Sequence, residues 1–270
     1  MVEANSTIYL TSWLNDKIVD IEGNTFFNVC EKPHGLATND GSSFWIANLN
    51  DGKVMKYGEN SQVIEVGGQP VNMLITDDRF YIADREQDRI LSYGYNSSTV
   101  SNVGRIEYDL SSFLDAEIAV GYIDMFKDGD TLYVASDEYN GFITIDLSEG
   151  NILGQTYSPT TSDYGATEIV VSGSDIYLNT GNRIIKWDGS EWETIVSDLS
   201  GDSGYNYSGK YVDLILSTTC YGGDDDSASK YLYVAAGINP DKSEEGTLQH
   251  VIRYSFDGTD WEYSKTIDFL

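Results

Sequence analysis

The chain has 270 residues, 40% hydrophobic and 13% aromatic, enough to bury a large core. Its 44 acidic against 16 basic residues leave a formal net charge of −28, a surface that repels phosphate backbones and anionic lipid, so nucleic acid is excluded as an expected partner. No apolar run approaches the ~18 residues of a membrane helix, so no membrane insertion is expected, and Met1-Val2-Glu3-Ala4 shows no basic-then-apolar secretion signal.

One phrase recurs along the chain: an apolar residue, an aromatic, an apolar residue, then a small or polar one. Residues 1–31 carry it as Ile8-Tyr9-Leu10-Thr11, followed by the alternating run Lys17-Ile18-Val19-Asp20-Ile21. Counting back from Tyr9 leaves only residues 1–4 for an inner strand, so this first unit is expected to have a shortened inner strand, to be trimmed, or to be completed by a neighbour. Residues 32–67 carry Gly35-Leu36-Ala37, then Phe44-Trp45-Ile46-Ala47, then Lys53-Val54-Met55-Lys56-Tyr57. In 68–108 the same order reads Val71-Asn72-Met73-Leu74-Ile75, Phe80-Tyr81-Ile82-Ala83 and Arg89-Ile90-Leu91-Ser92-Tyr93.

The unit at 117–158 has the inner run Tyr122-Ile123-Asp124-Met125-Phe126 before Leu132-Tyr133-Val134-Ala135. At 164–198, Thr167-Glu168-Ile169-Val170-Val171 precedes Ile176-Tyr177-Leu178-Asn179; at 209–270, Val212-Asp213-Leu214-Ile215-Leu216 precedes Leu232-Tyr233-Val234-Ala235. These last two units also share a hairpin, Trp187-Asp188-Gly189-Ser190-Glu191-Trp192 against Phe256-Asp257-Gly258-Thr259-Asp260-Trp261, in which Asp-Gly marks the tight turn. Period-two alternation of β-branched and aromatic residues predicts strands. Six copies of a four-strand unit predict an all-β, six-bladed β-propeller of antiparallel strands, a single domain over 1–270.

The segment Lys32-Pro33-His34-Gly35-Leu36-Ala37-Thr38-Asn39-Asp40-Gly41, with Phe44-Trp45-Ile46-Ala47 and Lys53-Val54 after it, resembles an NHL-type repeat. Gly68-Gln69-Pro70-Val71-Asn72 through Arg89-Ile90 is a looser copy, so the match covers 32–95. Similar repeats occur in the virginiamycin B lyase family, and gluconolactonase- and paraoxonase-like metal hydrolases are six-bladed relatives. The resemblance implies architecture; one propeller hosts many functions.

Aligning the units on their aromatic anchors brings His34, Asn72, Asp124, Glu168 and Asp213 to one mouth of the central channel. Asn72, Asp124, Glu168 and Asp213 are candidate oxygen ligands for Ca²⁺ or Mg²⁺; the plainer expectation is that they bond channel water and strand ends. Gluconolactonase-like enzymes place Glu, Asn and Asp on inner strands in this general way. His34 is a candidate acid or base. Long segments at 109–118, 158–165, 199–209 and 239–247 are assigned to the same face, where Tyr139, Tyr164, Tyr205 and Tyr207 are candidates for stacking on sugars or filling a partner's pockets. Cys30 and Cys220 are expected on opposite faces, unbridged.

The leading expectation is therefore a non-enzymatic binding or structural module for a protein or glycan, such as part of an adhesin, another extracellular or surface protein, or a virion assembly. The alternative is a metal-dependent hydrolase or lyase, in which Asp124, Glu168 and Asp213 hold the cation and His34 moves protons. Converging carboxylates, a cation with an open coordination position and a concave mouth are expected of the enzyme; a flatter face with the carboxylates spread round the ring is expected of the binding module.

Overall fold

The computed structural model describes residues 1–12, 16–30, 33–96, 99–111, 123–136, 139–157, 166–180, 183–197, 199, 212–218, 228–236 and 249–269. Within them the alternating runs form strands, grouped in six four-stranded antiparallel sheets. Blade one is β1 to β4 (Val2–Ala4, Thr7–Ser12, Lys17–Asp20, Thr25–Asn28), and blade two is β5 to β8 (Leu36–Ala37, Phe44–Asn48, Lys53–Tyr57, Val63–Glu65). Blade three is β9 to β12 (Pro70–Ile75, Arg79–Asp84, Arg89–Asn96, Thr99–Asp109), and blade four is β13 to β16 (Ile123–Asp128, Thr131–Ser136, Tyr139–Asp146, Asn151–Tyr157). Blade five is β17 to β20 (Glu168–Ser172, Asp175–Asn179, Ile184–Trp187, Trp192–Val196), and blade six is β21 to β24 (Val212–Ser217, Lys230–Ala236, Gln249–Phe256, Trp261–Phe269). The architecture is a six-bladed β-propeller, and among the described residues no helix is long and apolar enough to cross a membrane.

Each aromatic anchor sits on the second strand of its sheet. Tyr9, Trp45, Tyr81, Tyr177 and Tyr233 are buried there, and Tyr133 is half-buried. The anchors face the next sheet, not their own, because a sheet with two apolar faces must cover both. The result is one apolar cluster per blade interface: blades one and two, two and three, three and four, four and five, five and six. The sixth closes the ring by packing Ile8, Leu10 and Ile21 on Tyr231, Tyr233 and Val251.

Blade one keeps its own inner strand, three residues long, with Val2 opposite Tyr9. Ser217 Oγ donates to Glu3 Oε1 at 3.1 Å across the closing interface. The shortest inner strand is in blade two, where β5 has two residues. Pro33 lacks an N–H, and Gly35 passes against blade three: a Cβ on it would lie 2.6 Å from the Val71 carbonyl oxygen and 2.7 Å from Asn72 Cα. A side chain at that point would force the two blades apart.

The twin Asp-Gly hairpins form as read. Trp187 pairs with Trp192 and Phe256 with Trp261, each with ring centroids 5.2 Å apart. Gly189 and Gly258 take φ of 99° and 107°, which suits glycine. Asp188 and Asp257 close the turns by accepting two backbone N–H bonds each.

Candidate functional site

Four inner strands bring polar side chains together near their N-terminal ends. Asn72 lies on β9, Asp124 on β13, Glu168 on β17 and Asp213 on β21, one per blade from three to six. Asn72 Nδ2 donates to Asp124 Oδ1. The Ile169 N–H donates to Asp124 Oδ2 at 2.8 Å. Glu168 is hydrogen-bonded to the Asp124 carboxyl. Asp124 already accepts from an amide and a backbone N–H, so in the carboxyl pair Glu168 carries the shared proton. Burial, then the Asp124 charge, push the Glu168 carboxyl well above the usual carboxylate range. Asp124 is raised by burial, against the hydrogen bonds it accepts.

Asp213 completes the group through an ammonium. The Met1 α-amino group contacts Asp213 Oδ2. Burial pushes that ammonium down to about 6, while Glu168 and Asp124 pull it the other way. Asp213 is the accessible member, its side chain 34% exposed, whereas Asp124 is 8% exposed.

His34 lies beside this group, next to the Gly35 that abuts Asn72. Its backbone N–H donates to the Ala47 carbonyl, and its own carbonyl accepts from Thr11 Oγ1. Burial holds the imidazole down to about 4, and the Arg85 guanidinium pushes the same way. Arg85 is held by Gln69, through Nε to Oε1 at 2.9 Å. The mouth is thus acidic on blades four to six and cationic near Arg85.

Of the four residues read as oxygen ligands, Asn72, Asp124 and Glu168 are hydrogen-bonded to one another, and Asp213 contacts the Met1 ammonium instead. Among the described residues, however, no group of three His, Cys, Asp or Glu side chains is arranged to hold a metal ion. Tyr164, Tyr205, Tyr207 and Cys220 lie outside the described residues, as does the side chain of Tyr139. Cys30 is a free, half-buried thiol, pushed up by burial. Sequence reasoning missed the Ile169 N–H and the close approach of Gly35. The first carries no side-chain signal; the second has one, since Gly35 stands in the repeat where Pro33 leads into the inner strand.

No protein-family model matches the chain, and no curated protein matches it. Solved structures do. A structure of the nidogen/laminin complex shares a TM-score of 0.61 at 12% identity, covering 97% of this chain and 92% of that one. A putative 6-phosphogluconolactonase from Bacteroides uniformis gives 0.60 at 13%, covering 97% and 78%. A catalytically inactive virginiamycin B lyase from Staphylococcus aureus with quinupristin gives 0.55 at 15%, covering 85% and 73%. At these identities the likeness is one of fold, the propeller that the repeats at 32–95 imply; it spans proteins solved in complexes and enzymes alike.

Proposed function

We propose that this chain is a recognition propeller that receives a cationic group of a protein partner at the acidic mouth of its channel. The observation that supports this reading is the meeting of Asn72, Asp124, Glu168 and Asp213 on four successive inner strands. An ammonium has three donors and no acceptor; the Met1 ammonium already uses Asp213 in this way, and a partner's ammonium would take its place among carboxyl oxygens in a poorly hydrated setting, where such bonds strengthen. The net charge of −28 steers cations toward the protein. Tyr139, Tyr164, Tyr205 and Tyr207, from segments assigned to the same face, would supply rim contacts to the partner.

The test is calorimetric titration of acetyl-lysine methylamide. Binding is expected to be weak, and Asp213→Asn to weaken it about tenfold, or ~1.4 kcal/mol. Glu59→Gln removes the same charge from an exposed loop and should leave binding unchanged. Equal losses in both variants would mean only diffuse attraction to an acidic protein, and the reading would fail.

A second reading has one observation in its favour: the same four side chains present oxygens suited to Ca²⁺ or Mg²⁺. The arrangement fits a cation only if Glu168 turns away from Asp124. The hydrolase or lyase form of this reading also asks His34 to move protons, and an imidazole held down to about 4 is a weak base at neutral pH. Thermal unfolding with and without Ca²⁺ decides it: a rise that Glu168→Ala abolishes supports the cation, and an unmoved transition removes it.

A further inference from the structure

Blade five departs from its neighbours at one position beside the acidic group. Each of the four polar inner-strand residues faces a defined partner on the second strand. Asn72 stands opposite Ala83, Asp124 opposite Ala135 and Asp213 opposite Ala235, but Glu168 stands opposite Asn179. The fold therefore asks for a small residue there and does not require an amide. Asn179 is nonetheless fully buried, and both its Nδ2 and its Oδ1 are without a hydrogen-bond partner. Only Thr167 Oγ1 and Thr180 Oγ1, its neighbours at the same end of the blade, share that condition among the described residues.

Unpaired buried polar atoms cost stability, and native chains rarely keep them without another use. By strand alternation Asn179 shares a face with Tyr177, across the ladder from Glu168 and Val170. That face packs against Leu214 and Val234 of blade six; Asp213, the residue before Leu214, lies on the other face of its strand with Ile215 and Ala235, and reaches the mouth from the blade-one side. An amide with one free donor and one free acceptor complements a peptide group, which presents the reverse pair.

We infer that Asn179 is a specificity-determining residue of the mouth, and that the ligand is a basic peptide segment whose backbone amide pairs with Asn179 while its ammonium meets Asp213. This rests on the cation-binding reading above and narrows it from any cation to a peptide. Asn179 is covered in the unliganded chain, so engagement parts the end of blade five, and association is slower than electrostatic steering alone would give.

The experiment compares acetyl-lysine methylamide with butylamine, which has the ammonium but no amide, by calorimetry. Wild type is expected to prefer the peptide roughly tenfold. Asn179→Ala, the residue blades two, three, four and six use, and Asn179→Leu should bind the two ligands alike, retain butylamine binding and melt no lower than wild type. Equal binding of both ligands by wild type would overturn the inference and leave the acidic mouth standing. Failure of both ligands to bind would overturn the two together. A clear fall in melting temperature in both variants would make Asn179 a structural residue and overturn the inference as well.

Discussion

Asp84→Ala is expected to lower stability by about 3–5 kcal/mol, the cost of stripping a buried ion pair of one partner. Asp84 is fully buried at the end of β10. Its Oδ1 accepts from the Gln69 N–H and its Oδ2 from Arg89 Nε, both at 2.9 Å. Arg89 also reaches Glu107 at 3.1 Å and the Val66 carbonyl of the neighbouring blade at 3.4 Å. Gly68 is glycine for the same reason: a Cβ there would lie 2.1 Å from Asp84 Oδ1. Removing Asp84 leaves the Arg89 guanidinium at a blade interface, with only the half-exposed Glu107 to answer it. The double variant Asp84→Ala/Arg89→Met should recover part of the loss, because no buried charge is then stranded. Urea unfolding of the two variants checks both statements; a single variant within ~1 kcal/mol of wild type would show that the pair does not hold blades two and three.

His34 sets the second large effect, through pH. Its imidazole is held down to about 4, against an ordinary value near 6.5. Between those values the unfolded chain takes up a proton that the folded chain refuses. Stability from this residue is therefore fully present above pH ~6.5, falls as the pH drops toward 4, and levels off below. A depression of that size corresponds to about 3 kcal/mol. Glu168 acts in the opposite sense: its raised value stabilises the fold at low pH and ceases to do so as the pH rises through it. The difference between wild type and His34→Gln, measured by unfolding at pH 4 and at pH 7, isolates the histidine. The variant should lose about 3 kcal/mol less than wild type on acidification; parallel losses would place His34 in contact with water.

The architecture was legible because it is written in backbone periodicity. The anchors from Tyr9 to Tyr233 all fall on second strands, and the twin Asp-Gly turns fall where the alternation breaks. The short β1 was legible too, since counting back from Tyr9 leaves only residues 1–4 for it. The site was partly legible for the same reason: Asn72, Asp124 and Glu168 each precede their anchors Tyr81, Tyr133 and Tyr177 by nine positions, and strand register carries them to one height. What alternation does not encode is which atoms then pair. The proton shared by Asp124 and Glu168, the Ile169 N–H and the ammonium at Asp213 depend on the spacing between blades. Asn179 fits its phrase as an ordinary polar residue, so its buried, unpaired amide is seen only in the folded blade. Tyr164, Tyr205 and Tyr207 belong to sequence segments whose lengths follow no repeat, so no periodicity positions them.

The most direct test of the cation-binding mouth is a crystal structure of the protein grown with acetyl-lysine methylamide. The account predicts density for the ligand's ammonium within hydrogen-bonding distance of the Asp213 and Glu168 carboxyls, in the place of the Met1 ammonium. A mouth without ligand density, with the peptide bound only on the outer strands, would contradict it.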